Sequence, residues 1–196
     1  KVQMYDHVGG GDSSAVYGEL VAGIGERVAA SKADGFRAIK ILAVPKTRPL
    51  DGITSLREAE KVMRAAREAG GDDMDIMVDF HGRTTSAMAI QYAQVLEPFR
   101  PLFIEEVVGP EIPAQEMARV TRSTTIPVAA GERLFHRREF LPLLEAGAIS
   151  VAQPDVCHAG GITETMRIGA LAGTYGVSLA PHNPLGPIAT MVNIHI

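Results

Sequence analysis

Apolar positions along the chain alternate between two periods. Short β-rich apolar runs fall at residues 2–5, 38–42, 75–79, 102–105, 126–130, 149–153 and 177–180, and the stretches between them carry apolar residues at helical spacing. In 55–69, Leu56, Ala59, Val62, Met63 and Ala66 recur every three or four residues while Arg57, Glu58 and Lys61 fall on the other side, the signature of an amphipathic helix laid on a sheet. Further helices are predicted near 17–33, 85–96, 113–121, 137–146 and 163–175, the last stopped by Gly176. Met63, Met88 and Met166 fall on these helices and read as core filler.

Seven strands alternating with helices predict consecutive βα units and a parallel sheet. A strand-to-strand repeat of roughly 25 to 35 residues suits a (β/α) barrel, whose full form has eight units in about 250 residues. The expectation is therefore one domain over 1–196, an α/β barrel cut to about seven βα units. An open doubly wound sheet satisfies the same local pattern.

In a barrel, chemistry sits where strands end, and the polar residues there form a series. Asp79 ends the third run and Glu105 the fourth; Glu132 follows the fifth, Asp155 the sixth and His182 the seventh. Asp79, Glu105 and Glu132 are 26 and 27 residues apart, about one βα unit each, so in a barrel three carboxylates converge. Adjacent anions repel unless a cation sits among them, and hard oxygen ligands favour Mg²⁺. Helix N-caps are the competing reading of each acid. His81, two residues after Asp79, points to the same side if the strand continues. Asp155 beside His182 would fix the imidazole tautomer and raise its basicity. Gly82, Pro181 and Pro184 mark sharp changes of backbone direction suited to site loops.

Composition narrows the function classes. Of 196 residues 46% are apolar, and 19 Lys plus Arg against 23 Asp plus Glu give a formal charge of −4 without a long like-charge block; this argues against nucleic acid as a partner. No apolar run approaches the roughly 20 residues of a membrane span. One cysteine, Cys157, excludes an internal disulfide and fits a reducing compartment, so the expected location is cytoplasmic. Cys157 and His158 lack the second pair a zinc site requires. Gly9-Gly10-Gly11-Asp12 matches no nucleotide-binding motif and reads as a flexible loop of the site.

Six segments in order carry a resemblance over nearly the whole chain: Val78-Asp79-Phe80-His81-Gly82-Arg83, Phe99-Arg100-Pro101-Leu102-Phe103-Ile104-Glu105-Glu106, Ala130-Gly131-Glu132-Arg133, Gln153-Pro154-Asp155, His158-Ala159-Gly160-Gly161-Ile162, and Ala180-Pro181-His182-Asn183-Pro184-Leu185-Gly186-Pro187. With them the chain resembles the enolase superfamily, mandelate racemase subgroup. The resemblance implies a modified TIM-type (β/α)7β barrel in which Asp79, Glu105 and Glu132 bind one Mg²⁺. It also implies that His182 is the general base with Asp155 behind it and that His81 is the general acid. Lys40 and Arg83 are the candidate substrate contacts. The implied reaction is dehydration of an acid sugar to a 2-keto-3-deoxy acid, with an aldonate such as D-galactonate first and another aldonate or an aldarate next. A racemase or epimerase comes third and a non-catalytic sugar-binding relative last. Racemases of this subgroup resemble Lys-x-Lys at the second strand; here the run is Lys40-Ile41-Leu42, and Leu42 cannot move a proton. The common Glu-Glu-Pro is replaced by Glu105-Glu106-Val107. The family's capping domain, eighth strand and further glutamate have no counterpart within these residues. A symmetric homo-oligomer is expected of the full-length protein.

Overall fold

The computed structural model describes residues 3–8 and 22–196. The chain folds as two compact units, one of Lys1–Gly109 with Thr124–Ile126, the other of Pro110–Ser123 with Pro127–Ile196. Among the described residues seven strands alternate with helices, as expected of the βα pattern.

In the first unit the strands are β1 (Asp6–Val8), β2 (Ala38–Ile41), β3 (Asp75–Asp79) and β4 (Phe103–Glu105). Neighbours pair in parallel, with His7 opposite Lys40, Lys40 opposite Met77, and Asp79 opposite Glu105. The helices are α1 (Ile24–Ala33), α2 (Ile53–Gly70) and α3 (Ser86–Leu96), the last followed by a 3-10 turn, Glu97–Phe99. Leu56, Ala59, Val62, Met63 and Ala66 of α2 are all buried, so the amphipathic reading holds. β2 is buried at every position; a strand covered on both faces loses the polar alternation of a half-exposed one, which makes its single charged residue, Lys40, conspicuous. Glu97 ties down 124–126, accepting from Thr125 N at 2.6 Å and from the Thr124 and Thr125 hydroxyls at 2.9 Å.

The second unit holds β5 (Val128–Ala130), β6 (Val151–Ala152) and β7 (Ser178–Leu179), again parallel. Its helices are α4 (Ala114–Thr121), α5 (Arg137–Glu145), α6 (Gly161–Thr174) and α7 (Pro187–Ile194). Among the described residues no helix is long and apolar enough to cross a membrane.

Three expectations shift. The first strand, placed at 2–5, runs over Asp6–Val8; Val2 and the Gly9–Asp12 loop lie outside the described residues, and Gln3 to Tyr5 are not in the strand. Register against β2 overrides the local apolar run, because strand preference follows the neighbouring strand more than the residue types. The pattern predicts no element beyond 180, yet α7 forms there, with Pro187 in the first helical turn, where its missing N–H costs nothing. Met166 is 55% exposed, so it is not core; Met63 and Met88 are fully buried.

Candidate active site

In the first unit, Asp79 and Glu105 end adjacent strands side by side and are almost wholly buried, as is Lys40. The Lys40 ammonium donates to Glu105 Oε1 at 2.6 Å and lies 3.9 Å from Asp79 Oδ2. Burial opposes its charge, but the Glu105 and Asp79 carboxylates outweigh that and hold the Lys40 pKa above the ordinary lysine range. The Tyr5 ring centroid is 5.8 Å from Nζ.

His81 does not continue β3. It takes a left-handed backbone, φ 55°, and its N–H donates to Asp79 Oδ1 at 2.7 Å; a short acceptor two residues back closes an Asx-type turn and fixes the backbone. The turn is braced by β4, with Phe80 N donating to Glu105 O at 2.9 Å and Gly82 N to Glu106 O at 2.7 Å. Glu106 is itself left-handed, φ 48°. Non-glycine residues with such φ cluster at functional sites, and here two of them flank Asp79 and Glu105. Arg83 Nη2 stands 3.4 Å from His81 Nδ1.

In the second unit, His182 and Asp155 form a parallel bridge. His182 Nδ1 is 2.8 Å from Asp155 Oδ2 and Nε2 is 3.2 Å from Glu132 Oε2. Asp155 is 1% exposed and also accepts from Cys157 N at 2.8 Å, so it is anchored from two sides. Arg133 Nε lies 3.4 Å from Glu132 Oε1. Glu132 is placed by Gly131, whose φ of 132° brings the backbone under the ring of Phe140.

The helix-cap alternative fails for all four acids: the N-caps of the helices that follow them are Thr85, Pro113, His136 and Gly160. Sequence reasoning missed His7. It sits opposite Lys40, and its pKa is lowered by desolvation first, then by Lys40 and His81, against the pull of Glu105 and Asp6. His7 lies within β1, whereas a strand placed at 2–5 leaves it outside the sheet.

The donor chemistry suits a hard divalent cation. Asp79 and Glu105 present carboxylate oxygens in one register row, and a lysine ammonium stands in as their cation. Among the described residues, no three His, Cys, Asp or Glu side chains are grouped so as to hold a metal ion by themselves.

Residues 24–196 match the family described as enolase C-terminal domain-like. The chain belongs to that family. It is 42% identical over 196 residues to a protein of Klebsiella pneumoniae named D-galactonate dehydratase, an alignment covering all of this chain and 49% of that one. The chain thus spans about half the length of the curated relatives it matches. Among solved structures, a member of the enolase superfamily from Salmonella Typhimurium superposes with a TM-score of 0.86 at 34% identity, over 99% of this chain and 53% of that one. The 3,6-anhydro-D-galactonate cycloisomerase from Zobellia galactanivorans gives 0.80 at 33% identity, over 90% and 47%.

Proposed function

We propose that these residues belong to the catalytic barrel of a Mg²⁺-dependent sugar-acid dehydratase, with D-galactonate as the first substrate to test. The observation that carries the reading is the buried Asp155 carboxylate 2.8 Å from His182 Nδ1. With Nδ1–H donating to Asp155, the neutral ring would bear its lone pair on Nε2, the arrangement of an oriented general base, once Glu132 Oε2, 3.2 Å from Nε2, turns to the ion.

In this reading Asp79, Glu105 and Glu132 are the oxygen ligands of the ion, on the strength of their sequence spacing and their carboxylate chemistry. When bound, the ion would supply positive charge against the anion that develops as a proton α to a carboxylate is lost, a proton too weakly acidic for imidazole alone. His182 Nε2 takes the C2 proton. The electron pair left at C2 passes first toward the carboxylate and then becomes the C2=C3 bond as the C3–O bond breaks, and protonated His81 donates its proton so that the hydroxyl leaves as water. The resulting enol tautomerises to the 2-keto-3-deoxy acid. The pinned backbone of His81 fixes where that proton is offered. Lys40 and Arg83, both cationic, are proposed as substrate contacts. A cytoplasmic homo-oligomer with no nucleic-acid or membrane partner completes the reading. D-galactonate is favoured because relatives at 42% identity carry that name.

Two-base racemisation is disfavoured because Leu42 is a buried apolar residue at the position where a second base would stand. The test is turnover of sugar acids with Mg²⁺, with excess chelator, and in His182→Asn. A dehydratase loses product formation in both of the latter; persistence of turnover in His182→Asn removes the assignment of the base.

A further inference from the structure

Asp79 and Glu105 end adjacent strands opposite each other, buried to 4% and 0% exposure. Two carboxylates so placed repel one another, and an opposing charge between them relieves that repulsion. One is built in. Lys40 stands opposite Met77, two residues before Asp79, so its side chain emerges on the same face of the sheet one strand repeat below. Its stem spans that repeat, and its ammonium ends 2.6 Å from Glu105 Oε1 and 3.9 Å from Asp79 Oδ2. Asp79 is held from its other oxygen, Oδ1, by the His81 N–H. One ammonium against two carboxylates leaves the group at net −1.

We propose that Lys40 is a positioning residue whose buried ammonium holds Glu105 and Asp79 in place before a divalent ion arrives and, by its opposing charge, sets how tightly that ion binds. The proposal rests on the reading of Asp79 and Glu105 as metal ligands and deepens it. A lysine that served only as a substrate contact would leave binding of the ion in the absence of substrate unchanged. A lysine that only filled space would affect folding and not the ion.

Lys40→Met and Lys40→Arg in the full chain separate these roles, with thermal melts of the chelated protein and calorimetric titration by MgCl₂ without substrate. In Lys40→Met two buried carboxylates lose their counter-charge. The metal-free melting temperature falls by about 5 °C or more, while Mg²⁺ binds at least about tenfold more tightly because a repelling charge is gone. Saturating Mg²⁺ restores most of the lost melting temperature, and Lys40→Arg stays close to the parent in affinity. Unchanged or weakened Mg²⁺ affinity in Lys40→Met overturns the proposal while leaving the metal reading intact, since the parent still binds. A parent that binds no Mg²⁺ overturns both. If Lys40→Met fails to fold, Lys40→Gln is measured in its place against the same outcomes.

Discussion

Replacing Gly131 by alanine tests how the second unit places Glu132. A Cβ on residue 131 would lie 2.5 Å from Cε1 and 2.7 Å from Cζ of Phe140, and 3.2 Å from the backbone nitrogen of Gln153. Phe140 is fully buried on α5, so its ring has no space to retreat into, and the backbone of Gln153, which donates to Ala130 O, cannot move without breaking a strand pairing. Overpacking of this kind costs about 1–3 kcal/mol. The φ of 132° adds about 1–3 kcal/mol for any residue with a Cβ. Reduced freedom of the unfolded chain returns about 0.4–1 kcal/mol. The net is about 1–5 kcal/mol, which for a chain of this size lowers the melting temperature by roughly 2–20 °C. Urea unfolding and calorimetry of Gly131→Ala read this directly, and Phe140→Leu in the same chain should recover about 1 kcal/mol or more by vacating the ring edge. A Gly131→Ala protein within about 0.5 kcal/mol of the parent would refute the close approach and the backbone conformation together.

Asp155→Asn lowers kcat by about 10²–10⁴-fold, because the carboxylate that holds Nδ1–H is lost; steady-state kinetics checks it, and deuterium exchange at C2 falls in step. Thr84→Val leaves the buried Val107 carbonyl without its Thr84 hydroxyl donor, costing about 1–3 kcal/mol in urea unfolding. Glu97 has its pKa held below the ordinary 4.5 by the Thr125 N–H, the Thr125 hydroxyl and the Thr124 hydroxyl, in that order. A depressed carboxylate contributes stability that is complete above pH 4.5 and lost as pH falls through the folded-state value. The stability gap between the parent and Glu97→Gln, followed by melts from pH 7 to pH 3, should therefore shrink only below pH 4.5; a gap independent of pH would contradict this.

The strand ends that carry the candidate residues could be read from the sequence, because strand ends announce themselves. In 75–79 the run Ile76-Met77-Val78 stops at Asp79, and the structure ends β3 there; Glu105 closes β4 in the same way. The 27-residue step from Asp155 to His182 places a carboxylate and an imidazole on neighbouring strand ends, and the two meet at 2.8 Å. What escaped depends on partners distant in sequence. β1 took its position from register with β2, which no local pattern encodes. The turn at His81 depends on the Asp79 side chain capturing a backbone N–H and on β4 bracing it, so a strand extrapolated through residue 81 aimed the ring on the wrong premise. Lys40 could be seen as a lone charge in an apolar strand, but its partner Glu105 is 65 residues away.

The central claim is dehydration of a sugar acid with His182 as the base. Its most direct test incubates the full-length protein and Mg²⁺ with a panel of aldonic and aldaric acids in D₂O, following 2-keto-3-deoxy products and isotope at C2, with His182→Asn in parallel. The account predicts that the parent converts one acid, D-galactonate first, to its 2-keto-3-deoxy product, and that His182→Asn forms none. Neither dehydration nor C2 exchange with any acid, by a parent that binds Mg²⁺, would contradict it.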